Sequence, residues 1–141
     1  MKLILDENII EFAARCTNSK EAACGTLLGL ILKNCDMLIC NKKLYKSYLN
    51  RLKKLEHIGS SIYVAKILSH IQSKGSINFI EYSPPLYKED SIPFDDIFLI
   101  RLAVHTNSIL VSNDGRLKDS LIDSNLINIY NLVFKFPSEV Y

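Results

Sequence analysis

Three apolar residues, Leu3-Ile4-Leu5, run straight into Asp6-Glu7-Asn8, and a helical pattern follows at once. A run that is apolar at every position belongs to a strand covered on both faces, the usual condition of a parallel sheet. The C-terminal end of such a strand delivers a carboxylate to the edge of the sheet. Ser108-Ile109-Leu110-Val111-Ser112-Asn113-Asp114-Gly115 repeats the arrangement near the other end of the chain. Two apolar strands, each running out into Asp, mark where chemistry should be sought.

Between them the hydrophobic periodicity switches back and forth. Strands are predicted at Leu3–Leu5, Met37–Cys40, Ile77–Ile80, Ile109–Val111 and Ile127–Ile129. Helices are predicted over Ile9–Arg15, Lys20–Leu32, Lys42–His57, Gly59–Ser73, Asp95–His105 and Arg116–Ser124. Thr17-Asn18-Ser19 and Asn41 offer N-caps, and Lys74-Gly75 a helix stop. Ser83–Pro93 reads as a loop because Pro84-Pro85 and Pro93 exclude regular pairing. Strands separated by helices imply βαβ units: an α/β fold with a five-stranded parallel sheet between two helical layers. Ligands of such open sheets bind beyond the carboxyl ends of the strands, where the strand order reverses.

At 141 residues and 48% hydrophobic composition, one domain spanning 1–141 with a substantial core is expected, and disorder is not. Lys2 precedes only three apolar residues before Asp6, which is not the pattern of a signal peptide. The longest uncharged apolar run, Ala22 to Leu32, is too short to cross a bilayer. A soluble, cytoplasmic protein without membrane contact is the expectation. Cys16, Cys24, Cys35 and Cys40 are spaced by 8, 11 and 5 residues, form no CxxC pair, and are expected to be reduced, buried thiols. His57, His70 and His105 share no ligand spacing.

If the strands running into Asp6 and Asp114 are neighbours, their backbones lie only ~4.8 Å apart. Carboxylates that close repel, so one must hold a proton or a cation must sit between them. Asp96, at the start of the fifth helix, adds a third acid to the same edge. Oxygen donors that leave room for water and phosphate suit Mg²⁺ or Mn²⁺, and such an ion supports metal-assisted hydrolysis. Each acid also has a plain structural use. Asp6 could serve a strand-exit turn, Asp95 or Asp96 could cap the fifth helix, and Asp114-Gly115 is a common turn dipeptide. Their joint arrival at one edge is the stronger observation.

The ordered set Asp6-x-Asn8, Asp96-Ile97-Phe98-Leu99-Ile100-Arg101-Leu102-Ala103 and Ser112-Asn113-Asp114 resembles the motifs of PIN-domain nucleases across nearly the whole chain. The resemblance implies a metal-binding acidic pocket and ribonuclease activity directed at single-stranded RNA. Many members of that family are toxins paired with an antitoxin protein. Carried over residue by residue, it implies that Asp6, Asp96 and Asp114 bind the metal and act in catalysis, with Asn8 and Ser112 as orienting supports. Asp95 replaces Asp96 if the register slips by one. There is one departure. The family usually supplies a further acid from the third helix, and that position holds Ser47. Reliance on Glu7, Asp95 or Asp119, contact of Arg51 with substrate phosphate, or RNA binding without cleavage are the consequences to be tested.

Net charge is +2 but unevenly placed. Lys42, Lys43, Lys46, Arg51, Lys53 and Lys54 fall in one helix with no acid. Setting those six aside leaves 11 of the 17 basic residues against 15 acidic ones, a balance of −4. Lys43, Lys46, Arg51 and Lys54 form a candidate RNA-binding face, in which Tyr45 could stack on bases and Tyr48 falls on the apolar stripe. A solvated helix face is the plainer reading of the same charges. Two function classes remain open: a divalent-metal endoribonuclease, and a catalytically weak or inactive PIN-like module binding RNA or a protein partner; whether two copies of the chain pair as a homodimer is open under either. A receiver domain would need an acceptor Asp where Ile77–Glu81 offers only Glu. A phosphatase of the Asp-x-Asp type fails because position 8 is Asn.

Overall fold

A computed structural model describes every residue from Met1 to Tyr141. Five strands, β1 (Lys2–Leu5), β2 (Met37–Cys40), β3 (Ile77–Phe79), β4 (Ile109–Val111) and β5 (Phe134–Lys135), form one sheet in the order β3-β2-β1-β4-β5. Every pairing is parallel. Seven helices connect them: α1 (Glu7–Arg15), α2 (Ser19–Asn34), α3 (Lys42–Lys54), α4 (Gly59–Ser73), α5 (Ile97–Thr106), α6 (Gly115–Asp123) and α7 (Leu126–Tyr130). α1–α4 pack on one another as one layer, and α5 lies against β1, β2 and β4. The result is the expected three-layer α/β/α arrangement. The chain steps from β1 outward to β3, then returns to place β4 and β5 on the other side of β1. The strand order therefore reverses between β1 and β4.

Both helical layers close over a sheet whose middle is apolar throughout. Leu3, Ile4, Leu5, Leu110 and Val111 are wholly buried and belong to a core of 33 side chains. Register is set by Leu3 opposite Ile109, Ile4 opposite Leu110 and Leu5 opposite Val111. The next residues on each strand, Asp6 and Ser112, thus emerge side by side. Local chemistry follows the sequence closely at helix starts. The Asn18 side chain accepts from the Glu21 N–H at 2.9 Å, and that of Asn41 from the Leu44 N–H at 2.7 Å. Gly75, at φ 72°, turns the chain out of α4 toward β3. No helix is long and apolar enough to cross a membrane.

The fifth strand is where the sequence reading fails. Ile127–Ile129 lies in α7, bracketed by Asn125 and Asn131 in the left-handed region, with Leu126 buried and Ile129 facing solvent. β5 is instead Phe134–Lys135, with Phe134 opposite Leu110 and Lys135 opposite Val111. An edge strand covered on one face alternates apolar with polar residues, and Phe134-Lys135-Phe136 does so. Two helix ends also move. α3 stops at Lys54 rather than His57, and Phe94–Asp96 forms a 3₁₀ turn before α5 begins at Ile97.

The cysteines divide. Cys24 and Cys40 are buried, and burial pushes the Cys40 thiol up to about 12. Cys16 and Cys35 are exposed, against expectation, because each closes a helix in the left-handed region at φ 49° and 55°. A side chain with a Cβ is disfavoured there. Cys35→Gly is therefore expected to stabilise the fold by about 0.5–1 kcal/mol. A urea midpoint that fails to rise would show that this helix end is not strained.

Candidate functional site

Asp6 closes β1 and begins α1 while its own N–H donates to the Val111 carbonyl at 2.9 Å, so both central strands hold its backbone. The residue is only 7% exposed. The Ser112 hydroxyl donates to Asp6 Oδ2 at 2.8 Å, and Asn8 Nδ2 donates to the same oxygen at 3.3 Å. Burial raises the Asp6 carboxyl above its ordinary range. The Ser112 bond opposes that rise, and the charges of Glu7 and Asp114 add to it.

Ser112 is the hub of this corner. Its fully buried Oγ also accepts from the Asp114 N–H at 3.0 Å and from Asn8 Nδ2 at 3.3 Å. Asn8 Oδ1 takes the Asn113 N–H at 3.3 Å, so one side chain of α1 ties Asp6 to the end of β4. Asp114 in turn caps α6, its Oδ1 accepting from the Arg116 and Leu117 N–H groups at 3.0 and 3.2 Å. Asp6 and Asp114 are thus positioned by one small network. Ser112→Ala removes a donor to a buried carboxylate and the acceptor of a backbone N–H. A loss of about 1–2 kcal/mol is expected, and the Asp6 carboxyl should rise further. Denaturant unfolding and NMR titration of the carboxyl carbon read the two effects, and an unchanged Asp6 titration would contradict the network.

Asp96 arrives from a different part of the chain. It ends the 3₁₀ turn before α5 and occupies the N-cap position, yet its side chain makes no cap hydrogen bond. Asp95 lies inside that turn, one residue before the N-cap of α5, so neither side chain caps the helix. The Asp96 carboxyl is pushed up to about 6, first by burial and then by the charges of Asp6, Asp114, Asp95 and Glu7. Four other carboxylates are therefore close enough for their fields to oppose its ionisation.

These acids line two adjoining hollows of about 410 and 280 Å³ that share Asp6, Glu7, Asp95 and Asp96. The larger also takes in Lys43, Ser47, Phe94 and Arg101. The smaller takes in Asn8, Glu11, Arg51 and Asp114. Asp119 lies exposed on α6, away from both. At the departure from the family pattern, Ser47 donates to Glu7 Oε2, and Arg51 pairs with Glu7 at 2.8 Å and Glu11 at 3.4 Å. Glu7 of α1 stands beside Ser47, the position on α3 that lacks an acid. Arg51, a candidate phosphate contact, is thus paired with two carboxylates of α1. Glu11 was not singled out by sequence reading, though its i, i+4 relation to Glu7 places both on one face of α1.

The basic helix is only partly borne toward the cleft. Lys43 lines it, while Lys46 and Lys54 are exposed outside it, and none of the three is in an ion pair. Tyr48 is buried, with its hydroxyl donating to the Leu5 carbonyl. Tyr45 packs edge-on against Tyr48 and Phe79 and donates to Gln72 Oε1 at 2.9 Å, so it is a packing residue rather than a platform for bases.

The donor set has the chemistry a hard divalent cation takes: carboxylate oxygens, with one oxygen each of Asp6 and Asp114 and both of Asp96 free of side-chain and backbone bonds. Its geometry is open. No group of three or more His, Cys, Asp or Glu side chains stands in an arrangement that could hold an ion outright. Mg²⁺ is commonly held by one or two carboxylates with water filling the rest of its shell, and an open arrangement fits that mode.

No protein-family model and no curated protein matches the chain. The structure is similar to the crystal structure of VapBC2 from Rickettsia felis bound to a DNA fragment from their promoter. The TM-score is 0.54 and the identity 16%, over 96% of this chain and 98% of that one. At that identity the likeness speaks for the fold, which is PIN-like.

Proposed function

We propose that this chain is a divalent-metal-dependent endoribonuclease acting on single-stranded RNA, and the toxin of a toxin–antitoxin pair. The reading rests on Asp96. Its carboxylate caps no helix, sits among four other acids, and lies in a cleft with Asp6 and Asp114 at the reversal of strand order. Asp6, Asp96 and Asp114 would hold Mg²⁺ or Mn²⁺ through one or two carboxylates at a time. When bound, the ion lowers the pKa of water and offsets charge on the phosphodiester. Ser112 and Asn8 keep Asp6 aimed into the cleft, with Asp95 beside Asp96. Lys43, at the rim, draws the anionic backbone over the acids, and Lys46 and Lys54 extend that attraction along α3. An antitoxin protein as partner belongs to the same reading. It is supported by the likeness to VapBC2 and by motifs that resemble those of a family with many toxin members.

Cleavage of an unstructured RNA oligonucleotide should require added Mg²⁺ or Mn²⁺, stop with EDTA, and be lost in Asp6→Asn and Asp114→Asn. Cleavage that persists in those variants removes the site assignment. A second reading, a PIN-like module that binds RNA or protein without cutting, is favoured by Arg51, whose guanidinium already offsets Glu7 and Glu11 inside the cleft. RNA binding with no cleavage at any concentration of either metal would select it.

A further inference from the structure

We infer that Phe94 and Lys43 form a nucleotide subsite beside the acids, with an unpaired base stacked on the Phe94 ring and its phosphate drawn to Lys43. The inference rests on the nuclease reading and names how the substrate is held. Phe94 is 88% exposed, more than any other large apolar side chain in the protein, and is absent from the side chains packed on the core. Nothing in the folding of the chain calls for an aromatic residue there. Yet it lines the same hollow as Asp95 and Asp96, the next two residues in sequence, and as Asp6 and Lys43.

The other exposed aromatics do not share this position. Tyr82 and Tyr87 are 77% and 72% exposed but line neither hollow, and Tyr87 carries the Lys88 ammonium over its ring, 5.7 Å from the centroid. The turn that carries Phe94 is closed by the Asp96 N–H, which donates to the Pro93 carbonyl at 2.9 Å. Glu89, earlier in the same segment, takes a two-point ion pair from Arg101 on α5 and also accepts the Leu86 N–H at 2.9 Å. Lys43, which lines the same hollow, has no acidic partner, so its ammonium is free for a phosphate. An aromatic face, a free cation and a bed of carboxylates match the three parts of a nucleotide strand: base, phosphate and the bond to be cut. Stacking tolerates any base, because every base offers a π-face. The subsite therefore selects single strands over duplexes, whose bases are already stacked.

The test uses fluorescein-labelled oligoadenylate and an abasic strand of equal length, each titrated by anisotropy in EDTA so that nothing is cut. Phe94→Ala should weaken oligoadenylate binding about tenfold to a hundredfold while leaving the abasic strand unchanged, and Phe94→Tyr should keep most of the affinity. Lys43→Ala should weaken both strands and lower the slope of log affinity against log salt by about one. The chain has no Trp, so Phe94→Trp adds a sole indole whose fluorescence a stacked base should quench. If wild type cleaves RNA but Phe94→Ala binds oligoadenylate as tightly as wild type, or the indole is not quenched, the subsite is wrong and the nuclease reading stands. If wild type binds neither strand, both fall.

Discussion

Asp96→Asn should leave the cation-free protein more stable than wild type and at the same time nearly inactive. In the folded protein burial and neighbouring carboxylates push the Asp96 carboxyl up to about 6 from the ordinary 3.8, so the fold favours its protonated form. The stability this supplies is complete below pH about 3.8 and is lost as the pH rises through 6. At neutral pH the group is ionised among like charges, and Asn removes that repulsion without changing its size. The melting temperature of the variant should thus exceed that of wild type by a few degrees near neutrality, and the gap should close toward pH 4. Activity moves the other way. A carboxylate that helps hold a catalytic ion supplies part of several kcal/mol, so RNA cleavage should fall roughly a hundredfold to a thousandfold. In wild type, cation binding should weaken as the pH drops below 6, where Asp96 takes up its proton. A variant that loses stability would mean that Asp96 has a structural use the geometry does not reveal. Functional residues that oppose folding are where local rules are expected to fail.

Tyr48→Ala should be the most damaging single change to the fold near the site. Tyr48 is the largest of the fully buried side chains, set between α3 and the sheet, and its hydroxyl donates to the carbonyl of Leu5. Burial keeps the phenol well above its ordinary titration range, so it remains a neutral donor at any working pH. Truncation to Ala removes the ring and leaves a cavity, at a cost of about 3–5 kcal/mol, a large share of the total for a domain this size. Because Leu5 directly precedes Asp6, the loosened strand end should also lower activity in the fraction that stays folded. Tyr48→Phe keeps the ring and loses one hydrogen bond, about 1 kcal/mol. Urea unfolding separates the two. A Phe variant as unstable as the Ala variant would put the weight on the hydroxyl rather than on packing.

Much of this is legible in the amino-acid sequence. Leu3–Leu5 and Ile109–Val111 are apolar at each position, and only a strand buried on both faces has a use for that. Their common end then brings Asp6 and Ser112 together through pairing alone. Asn18 and Asn41 announced their helices because an N-cap is a local bond between a side chain and a backbone N–H three residues on. Phe134–Lys135 was not legible as a strand. Its two residues are held by the edge of β4 rather than by any pattern of their own. Ile127 and Ile129 alternate like a strand but fall in a short helix ended by Asn131 in the left-handed region. At the site, the partners of Ser47 and Arg51 lie about forty residues away on α1. No spacing rule reaches across that gap, and α1 supplying Glu7 opposite Ser47 is visible only in three dimensions. Phe94 could not be singled out either, since exposure of an aromatic residue is a property of the fold.

Asp6, Asp96 and Asp114 are expected to answer to one divalent cation. Calorimetric titration of the metal-free protein with Mn²⁺ at neutral pH, repeated on Asp6→Asn, Asp96→Asn and Asp114→Asn, tests this most directly. Saturable binding by wild type, weakened about tenfold or more in each variant, is the expected result. No heat of binding in wild type, or an affinity that all three substitutions leave unchanged, would contradict it.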